Sequence, residues 1–154
     1  MARDGSQYLN AHVFPGGQME PSDNGNIRRA ALRELYEEAS IHLLPDKSSK
    51  TTPRVIPQQV KINTSEIPYS QFLQMNSLPT AESKLIPHAR WITPKTMAKR
   101  FDTTFFLALS VSRTDTSVTG KVDGQEIKSL AWYTPSEALN LFSEGEILLF
   151  PPQW

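Results

Sequence analysis

A helical segment at Ile27–Ile41 constrains the fold of this chain more than any other feature of its sequence. Every residue in it is a tolerable or good helix former, and it contains neither glycine nor proline. The turn-forming residues Asp23-Asn24-Gly25-Asn26 come directly before it, and the side chain of Asn24 or Asn26 is suited to cap its first turn. The sequence therefore predicts a helix with a defined beginning.

The two sides of this helix differ in chemistry. At about 100° per residue, Glu34, Glu37 and Glu38 fall within an arc of roughly 100° on one face. The apolar residues occupy the other side, which can pack on a sheet: Leu32, Leu35, Tyr36 and Ala39.

The acidic face has two interpretations. Like charges this close destabilise a bare helix by roughly a few tenths of a kcal/mol per pair, whereas a hard divalent cation such as magnesium or manganese removes the repulsion. Arg33 lies one turn before Glu37 and can hold it by an ion pair. The alternative is a solvated charged face, the usual meaning of glutamates near an arginine. The upstream turn Gly16-Gly17 favours the metal, because it can bring a backbone carbonyl to the same ion.

The rest of the chain predicts an α+β protein with a mixed sheet. Strands are expected at Leu9–Phe14, His88–Ile92, Thr103–Ser112 and Glu126–Tyr133, and short helices at Ser70–Met75 and Ser136–Phe142. The apolar centre of Thr103–Ser112 fits a buried strand. Pro45–Pro53 reads as a polar loop, Arg54–Ile62 is ambiguous because of Pro57, and Arg113–Gly124 reads as a hairpin connection.

Composition narrows the class. With 154 residues we expect a single domain over residues 1–154. Basic and acidic residues number 16 each, so no bulk field attracts nucleic acid or membranes, and neither is an expected partner. The absence of cysteine excludes disulfides, thiol catalysis and zinc–thiolate sites. No apolar run approaches the roughly 20 residues needed to span a bilayer.

The residues around the acidic helix resemble the Nudix box, G-x5-E-x7-R-E-U-x-E-E-x-G-U, in which U is aliphatic. Here Gly17, Asp23 and Arg33-Glu34-Leu35-Tyr36-Glu37-Glu38 follow that order, and Val13-Phe14-Pro15-Gly16-Gly17 matches the usual entry to the box. Asp23 replaces the first glutamate, and the spacing from Asp23 to Arg33 is two residues longer. Ser40 replaces the final glycine, although it is less comfortable in a left-handed helix end.

Further strings resemble the acyl-CoA diphosphatase branch of that superfamily. They extend from about His12 to the chain end, and they are His12–Gly17, Trp91–Pro94, Arg100–Leu107 and Phe150–Gln153. The resemblance implies a Nudix-type α/β/α sandwich. Because mostly polar residues precede His12, we expect one or more N-terminal strands of that fold to be lacking. The resemblance also implies an intracellular protein. Its expected location is the peroxisome by family resemblance, or the cytoplasm because the chain has no C-terminal targeting signal.

The resemblance also implies a site. Glu34, Glu37, Glu38 and the carbonyl of Gly16 would bind Mg²⁺ or Mn²⁺, and Arg33 would orient them. A carboxylate would act as general base in attack of water on a diphosphate, with Glu37 the catalytic candidate and Glu126 a candidate fourth carboxylate. An exposed hairpin glutamate is the alternative for Glu126.

The favoured substrate is coenzyme A or acyl-CoA, a small nucleotide-type molecule, and the oligomeric state is left open. Two rival functions belong to other classes. One is a catalytically silent Nudix-fold nucleotide-binding module, to which Ser40 and the short N-terminus point. The other is an interaction domain with an acidic helix, which would bind no nucleotide.

Several conspicuous side chains carry no functional assignment. His12, His42 and His88 have no metal-ligand spacing and are interpreted as ordinary strand or loop residues. Arg100 and Asp102 are interpreted as a structural ion pair or, equally, as a substrate contact. The pair Phe105-Phe106 is interpreted as core.

Overall fold

A computed structural model of the chain describes residues 2–3, 11–45, 51–55, 68–109 and 127–153. Its elements are β1 (Ala2–Arg3), α1 (Ile27–Ala39), β2 (Ile41–Pro45), β3 (Thr51–Val55), α2 (Tyr69–Met75), β4 (Ile86–Ile92), β5 (Asp102–Leu107), β6 (Ile127–Ser129) and α3 (Pro135–Ser143). Short 3-10 turns lie at Pro21–Asp23, Glu82–Lys84 and Pro151–Gln153. Helices and strands thus alternate irregularly, as expected of an α+β protein.

Helix α1 begins and ends where its terminal residues favour it. The side chain of Asn26 accepts hydrogen bonds from the N–H groups of Arg28 and Arg29, so Asn26 rather than Asn24 is the N-cap. Ser40 ends the helix in the left-handed conformation, with φ of 55°, and its N–H donates to the carbonyl of Tyr36. Serine therefore adopts the conformation for which glycine is preferred.

The apolar side of α1 packs as its pattern predicted. Leu32, Tyr36 and Ala39 are buried against Ile41 and Leu43 of β2 and against Tyr69 and Phe72 of α2. The rings of Tyr36 and Phe72 stack with centroids 4.6 Å apart. This packing fixes α1 with its acidic face turned away from the core.

The strand at β3 corrects the prediction for Pro45–Pro53. Pro45 ends β2, and Thr51–Pro53 lie in β3, which pairs antiparallel with β2 so that Leu43 is opposite Pro53. Antiparallel pairing supplies the order that a polar composition does not indicate. The predicted helix at Ser70–Met75 is confirmed one residue longer, as α2.

Strand β5 is more exposed than its apolar centre predicted. It pairs with β4 alone within the described part of the chain, and its residues are half-buried or exposed, so the expectation of a buried strand is wrong. Its predicted final residues, 110–112, lie outside the described residues. Phe106 packs against the core from its edge, whereas Phe105 contacts Phe14.

The N-terminal part of the chain pairs with its C-terminal part at two places, a third two-stranded sheet and an isolated bridge. β1 pairs antiparallel with β6, and Ala11 forms a parallel bridge with Leu148, next to a 2.8 Å hydrogen bond from the N–H of His12 to the Leu148 carbonyl. Only the two-residue strand β1 precedes His12 among the described residues, in agreement with the expected shortening of the sheet at the N-terminal side. Thr134 is the N-cap of helix α3, and its hydroxyl and the Glu137 carboxylate form a capping box. None of the described helices has the length and apolar character needed to cross a bilayer.

Candidate active site

The guanidinium of Arg33 organises the acidic residues of α1. Its Nε and Nη2 donate to the two carboxylate oxygens of Asp23 at 3.1 and 3.0 Å, and Nη2 also donates to the carbonyl of Gln18 at 2.8 Å. Both side chains are buried: that of Arg33 is 5% exposed and that of Asp23 1%. Because a two-pronged contact with a carboxylate fixes the plane of a guanidinium, Arg33 has one defined orientation.

The remaining nitrogen of Arg33 points to the acidic face. Nη1 donates to Oε2 of Glu37 at 2.8 Å and to Oε1 of Glu34 at 2.9 Å. The Glu37 pair confirms the contact expected from the spacing of one helical turn. The Glu34 pair was not predicted, because neighbouring residues on a helix do not ordinarily face each other.

Glu38 is held by the glycine turn. The N–H of Gly16 donates to Oε2 of Glu38 at 2.9 Å, and Glu38 is 6% exposed. The resemblance gave Gly16 a role through its carbonyl, whereas the observed contact is made by its N–H. The glycine turn and α1 are therefore joined at Gly16 and Glu38, two residues of the predicted site.

Asp23 is the site residue to which the sequence gave no role. Its carboxylate accepts a hydrogen bond from the N–H of Glu20 at 2.8 Å in addition to its two bonds from Arg33. Its place in the box, where a glutamate is usual, was the available signal. The shorter side chain reaches Arg33 because the 3-10 turn Pro21–Asp23 brings its backbone close to α1.

Gly17 lies directly against the carboxylate of Glu34. A Cβ at Gly17 would fall well inside van der Waals contact of the carboxylate carbon and both its oxygens, whereas a Cβ at Gly16 would meet no heavy atom within 4 Å. Gly17 therefore leaves the space that the Glu34 carboxylate occupies, through a close approach of backbone to side chain.

Burial and charge act together on these ionisable groups. Burial raises the pKa of Glu34, the charge of Arg33 opposes this, and the charges of Glu38 and Glu37 add to it. Burial likewise raises the pKa of Glu37 against the hydrogen bond and charge of Arg33. For Arg33, burial by itself lowers the pKa, but the hydrogen bonds to Asp23 and Glu37 outweigh it, and the pKa is raised. The guanidinium therefore stays charged.

The donor chemistry of this face fits a hard divalent cation. Glu34, Glu37 and Glu38 offer carboxylate oxygens alone. Burial is the main cause that raises the pKa of Glu34, and the repulsion from Glu38 and Glu37 that adds to it is what a cation would remove. Gly17 supplies the space on one side. As the described residues stand, no three acidic or histidine side chains surround a single point, because Arg33 and Gly16 engage these carboxylates. A cation would replace some of those hydrogen bonds.

Other predicted site residues lie elsewhere or outside the described chain. Glu126 is not among the described residues. Asp102 pairs with Arg90 at 2.6 Å, and Arg100 donates to the carbonyl of Thr93, so the interpretation of Arg100 and Asp102 as an ion pair is wrong. Asp102 bonds instead to Arg90, its neighbour on the paired strand β4. His42 is buried between the hydroxyl of Tyr69 and the carbonyl of Pro79, in agreement with a structural role.

A cavity of about 440 Å³ lies behind Arg33, between α1 and α2. Arg29, Arg33 and Glu82 line it together with Tyr69 and Leu73, whereas the three glutamates of the acidic face do not. Of the residues that organise the acidic face, Asp23 and Arg33 line the cavity.

Comparison with known proteins shows the family to which the chain belongs. The family model described as the NUDT19 Nudix domain matches residues 21–154. Acyl-coenzyme A diphosphatase NUDT19 of Gallus gallus is 29% identical over 148 residues, which cover 83% of this chain and 38% of that protein. The Xenopus laevis protein of the same name is 26% identical over 148 residues, covering 82% and 37%. The chain thus spans less than two fifths of the length of these curated relatives.

A solved structure shows the same fold. The crystal structure of a NUDIX hydrolase from Alicyclobacillus acidocaldarius superposes with a TM-score of 0.74 at 20% sequence identity, and the match covers 99% of this chain and 77% of that one. At this identity the likeness concerns architecture alone: the small antiparallel sheets and the helices described above are parts of a Nudix-type α+β fold.

Proposed function

Because the chain belongs to the NUDT19 Nudix domain family, we propose that it is a metal-dependent hydrolase of nucleoside diphosphate-linked substrates, with coenzyme A or acyl-CoA favoured. The observation that carries the proposal is the fixing of three carboxylates on one helix face. Arg33 holds Glu34 and Glu37, and the N–H of Gly16 holds Glu38. A solvated helix face would not require a buried arginine or a glycine turn to position its carboxylates, so these contacts favour a site.

The reaction adds one water across the diphosphate. The water oxygen forms a bond to one phosphorus, the bond from that phosphorus to the bridging oxygen breaks, and the bridging oxygen leaves with the second phosphate. The products are two phosphate monoesters, and the proton released by water goes to a base. A bound Mg²⁺ or Mn²⁺ would neutralise charge on the diphosphate and lower the pKa of an attached water.

The proposal gives the glutamates of the acidic face and Gly16 distinct roles. We assign Glu34 and Glu38 to the cation, together with the Gly16 carbonyl, because the two side chains are one turn apart and face the glycine turn. Glu37 is the most exposed of the three, with its side chain 33% exposed, and Arg33 fixes one of its oxygens. Its other oxygen is therefore oriented, and we assign Glu37 both to the cation and to accepting the proton from water.

Arg33 is assigned as a positioning residue. It is anchored at Asp23 and Gln18 and donates towards the glutamates, so it sets where two carboxylates stand without reaching substrate. Glu126 stays a candidate for a fourth carboxylate from the sequence alone. The choice of coenzyme A or acyl-CoA is supported by the name of the curated relatives, acyl-coenzyme A diphosphatase.

The reaction is tested by incubating the full chain with coenzyme A and Mg²⁺ and separating the products. We expect adenosine 3′,5′-bisphosphate and 4′-phosphopantetheine in equal amounts, released about a hundredfold or more slowly by Glu38→Gln. Release from another nucleoside diphosphate but not from coenzyme A would remove the substrate assignment and keep the hydrolase.

A silent nucleotide-binding module is the rival that the same experiment addresses. Calorimetry of nucleotide binding in chelator and in Mg²⁺ separates the two. The enzyme is expected to bind the diphosphate much more tightly with the cation, whereas a silent module would bind equally well in chelator and release no product. An interaction domain would bind no nucleotide in either condition.

A further inference from the structure

Two aromatic side chains, His12 and Phe14, belong to the segment that enters the glycine turn, and each lies beside a ring from a distant part of the chain. The ring of His12 lies 6.0 Å from that of Tyr133, and the ring of Phe14 lies 6.1 Å from that of Phe105 in an edge-to-face arrangement. We call these residues the aromatic row. Alternate residues of an extended segment point to the same side, so His12 and Phe14 are neighbours along it.

The aromatic row is open to solvent. Phe14 is 57% exposed and Tyr133 41%, and His12 and Phe105 are half-buried. Large apolar side chains gain free energy when they are covered, and edge-to-face pairing leaves the face of a ring accessible to a further ring. The row is therefore a surface that an aromatic ligand can cover.

The aromatic row adjoins the acidic face. Phe14 is two residues from Gly16, whose N–H contacts Glu38. Two residues of extended chain span at most about 7 Å. A molecule bound at the carboxylates therefore has the row within reach of the groups next to its diphosphate.

We propose that the aromatic row binds the adenine ring of the substrate by stacking, with Phe14 as the principal contact. This rests on the proposed function for the position of the diphosphate. In coenzyme A the adenine is one ribose away from the diphosphate, whereas an acyl group lies at the far end of the pantetheine arm. The short distance from Phe14 to the turn therefore favours the base as the occupant. Aromatic side chains stack on any flat base, and His12 and Tyr133 add polar edges to the row.

The proposal is tested with adenosine 3′,5′-bisphosphate, which carries the base and has no diphosphate to cleave. Its affinity is measured by calorimetry for the wild-type chain, Phe14→Ala and Phe14→Trp. The matched control is Phe101→Ala, since Phe101 is a half-exposed phenylalanine of the β4–β5 connection that contacts Lys99. Thermal melting of each variant reports whether it folds.

We expect Phe14→Ala to weaken binding of the bisphosphate by about tenfold or more, Phe14→Trp to retain it, and Phe101→Ala to leave it unchanged. The KM for coenzyme A should rise with Phe14→Ala while kcat changes less. Binding of 4′-phosphopantetheine should not change.

Other results would overturn the assignment. Equal bisphosphate affinity in the wild type and Phe14→Ala, or no bisphosphate binding by the wild type, excludes the adenine site. If Phe14→Ala lost affinity for palmitoyl-CoA but not for coenzyme A, the aromatic row would be a surface for the acyl chain instead. If Phe14→Ala fails to fold, the bisphosphate affinity of Phe14→Leu is measured instead, because leucine keeps an apolar side chain without a ring; an affinity equal to that of the wild type would exclude the adenine site. The chain could also bind the bisphosphate through Phe14 and yet not hydrolyse coenzyme A. That result would reject the proposed reaction and support the aromatic row as an adenine site.

Discussion

The N–H of Gly16 donates a 2.9 Å hydrogen bond to Oε2 of Glu38, a residue 22 positions further along the chain. This bond attaches the turn to the acidic helix face, on which Arg33 holds Glu34 and Glu37. Three carboxylates are thereby fixed by three hydrogen bonds from two groups, the Arg33 guanidinium and the Gly16 N–H. The proposed chemistry and most of the predictions below depend on this arrangement.

Removing one carboxylate charge should lower activity without unfolding the protein. For Glu38→Gln we expect a loss in kcat of about a hundredfold or more, comparable with removal of a group that stabilises transition-state charge. The glutamine oxygen can still accept from Gly16. In chelator the melting temperature should hold or rise slightly, because carboxylate repulsion falls. Turnover with coenzyme A and apo melting are measured for Glu34→Gln, Glu37→Gln and Glu38→Gln, with the exposed Glu146→Gln as control. Wild-type turnover in all three would refute the site.

A side chain at Gly17 should displace Glu34. The alanine Cβ would overlap the Glu34 carboxylate, whereas a Cβ at Gly16 meets open space. We therefore expect Gly17→Ala to weaken Mg²⁺ binding and lower turnover by about tenfold or more, as misplacement of a site group does. Gly16→Ala, which keeps the backbone N–H and carbonyl, should lower both far less. Calorimetry with Mg²⁺ and initial rates measure the difference, and equal effects of the two substitutions would contradict the assigned role of Gly17.

Loss of Arg33 should destabilise the fold as well as the site. Arg33→Met leaves the carboxylate of Asp23, 1% exposed, without its charged partner. Breaking a buried ion pair in this way costs about 3–5 kcal/mol. Urea denaturation of Arg33→Met and of the double variant Arg33→Met/Asp23→Asn measures the cost, and the double variant should recover part of it. The exposed ion pair offers the comparison: Arg90→Met should change stability little. A small effect of Arg33→Met would mean that Asp23 finds water or another donor.

The capping box of α3 should make stability depend on pH in the acid range. The N–H and hydroxyl of Thr134 lower the pKa of Glu137 below its ordinary value of 4.5. Since the folded pKa is depressed, the stabilisation is present above pH 4.5 and is lost as pH falls through the folded pKa. The difference in denaturation midpoint between wild type and Glu137→Gln should therefore shrink as pH falls from 7 to 3. A difference that stays constant would exclude a role for the Glu137 charge.

Some features of this protein were determined by local sequence. The uninterrupted helix formers, a cap at Asn24 or Asn26 and the apolar stripe were enough to predict α1 and its acidic face, because each depends on residues within a turn or two of one another. The contact of Arg33 with Glu37 was predictable for the same reason. The fold family followed from a motif whose residues are close in sequence.

Tertiary structure decided what depends on distant partners. Periodicity did not reveal that Arg33 would be buried against Asp23, or that Gly16 would reach Glu38 through its N–H. The apolar centre of β5 predicted burial, but burial depends on which elements cover a strand, and β5 remains partly exposed. Asp102 likewise bonds to Arg90 across the β4–β5 ladder rather than to Arg100 nearby in sequence. A sequence specifies the groups that can pair, and the packing of α1, the glycine turn and the strands selects which of them meet.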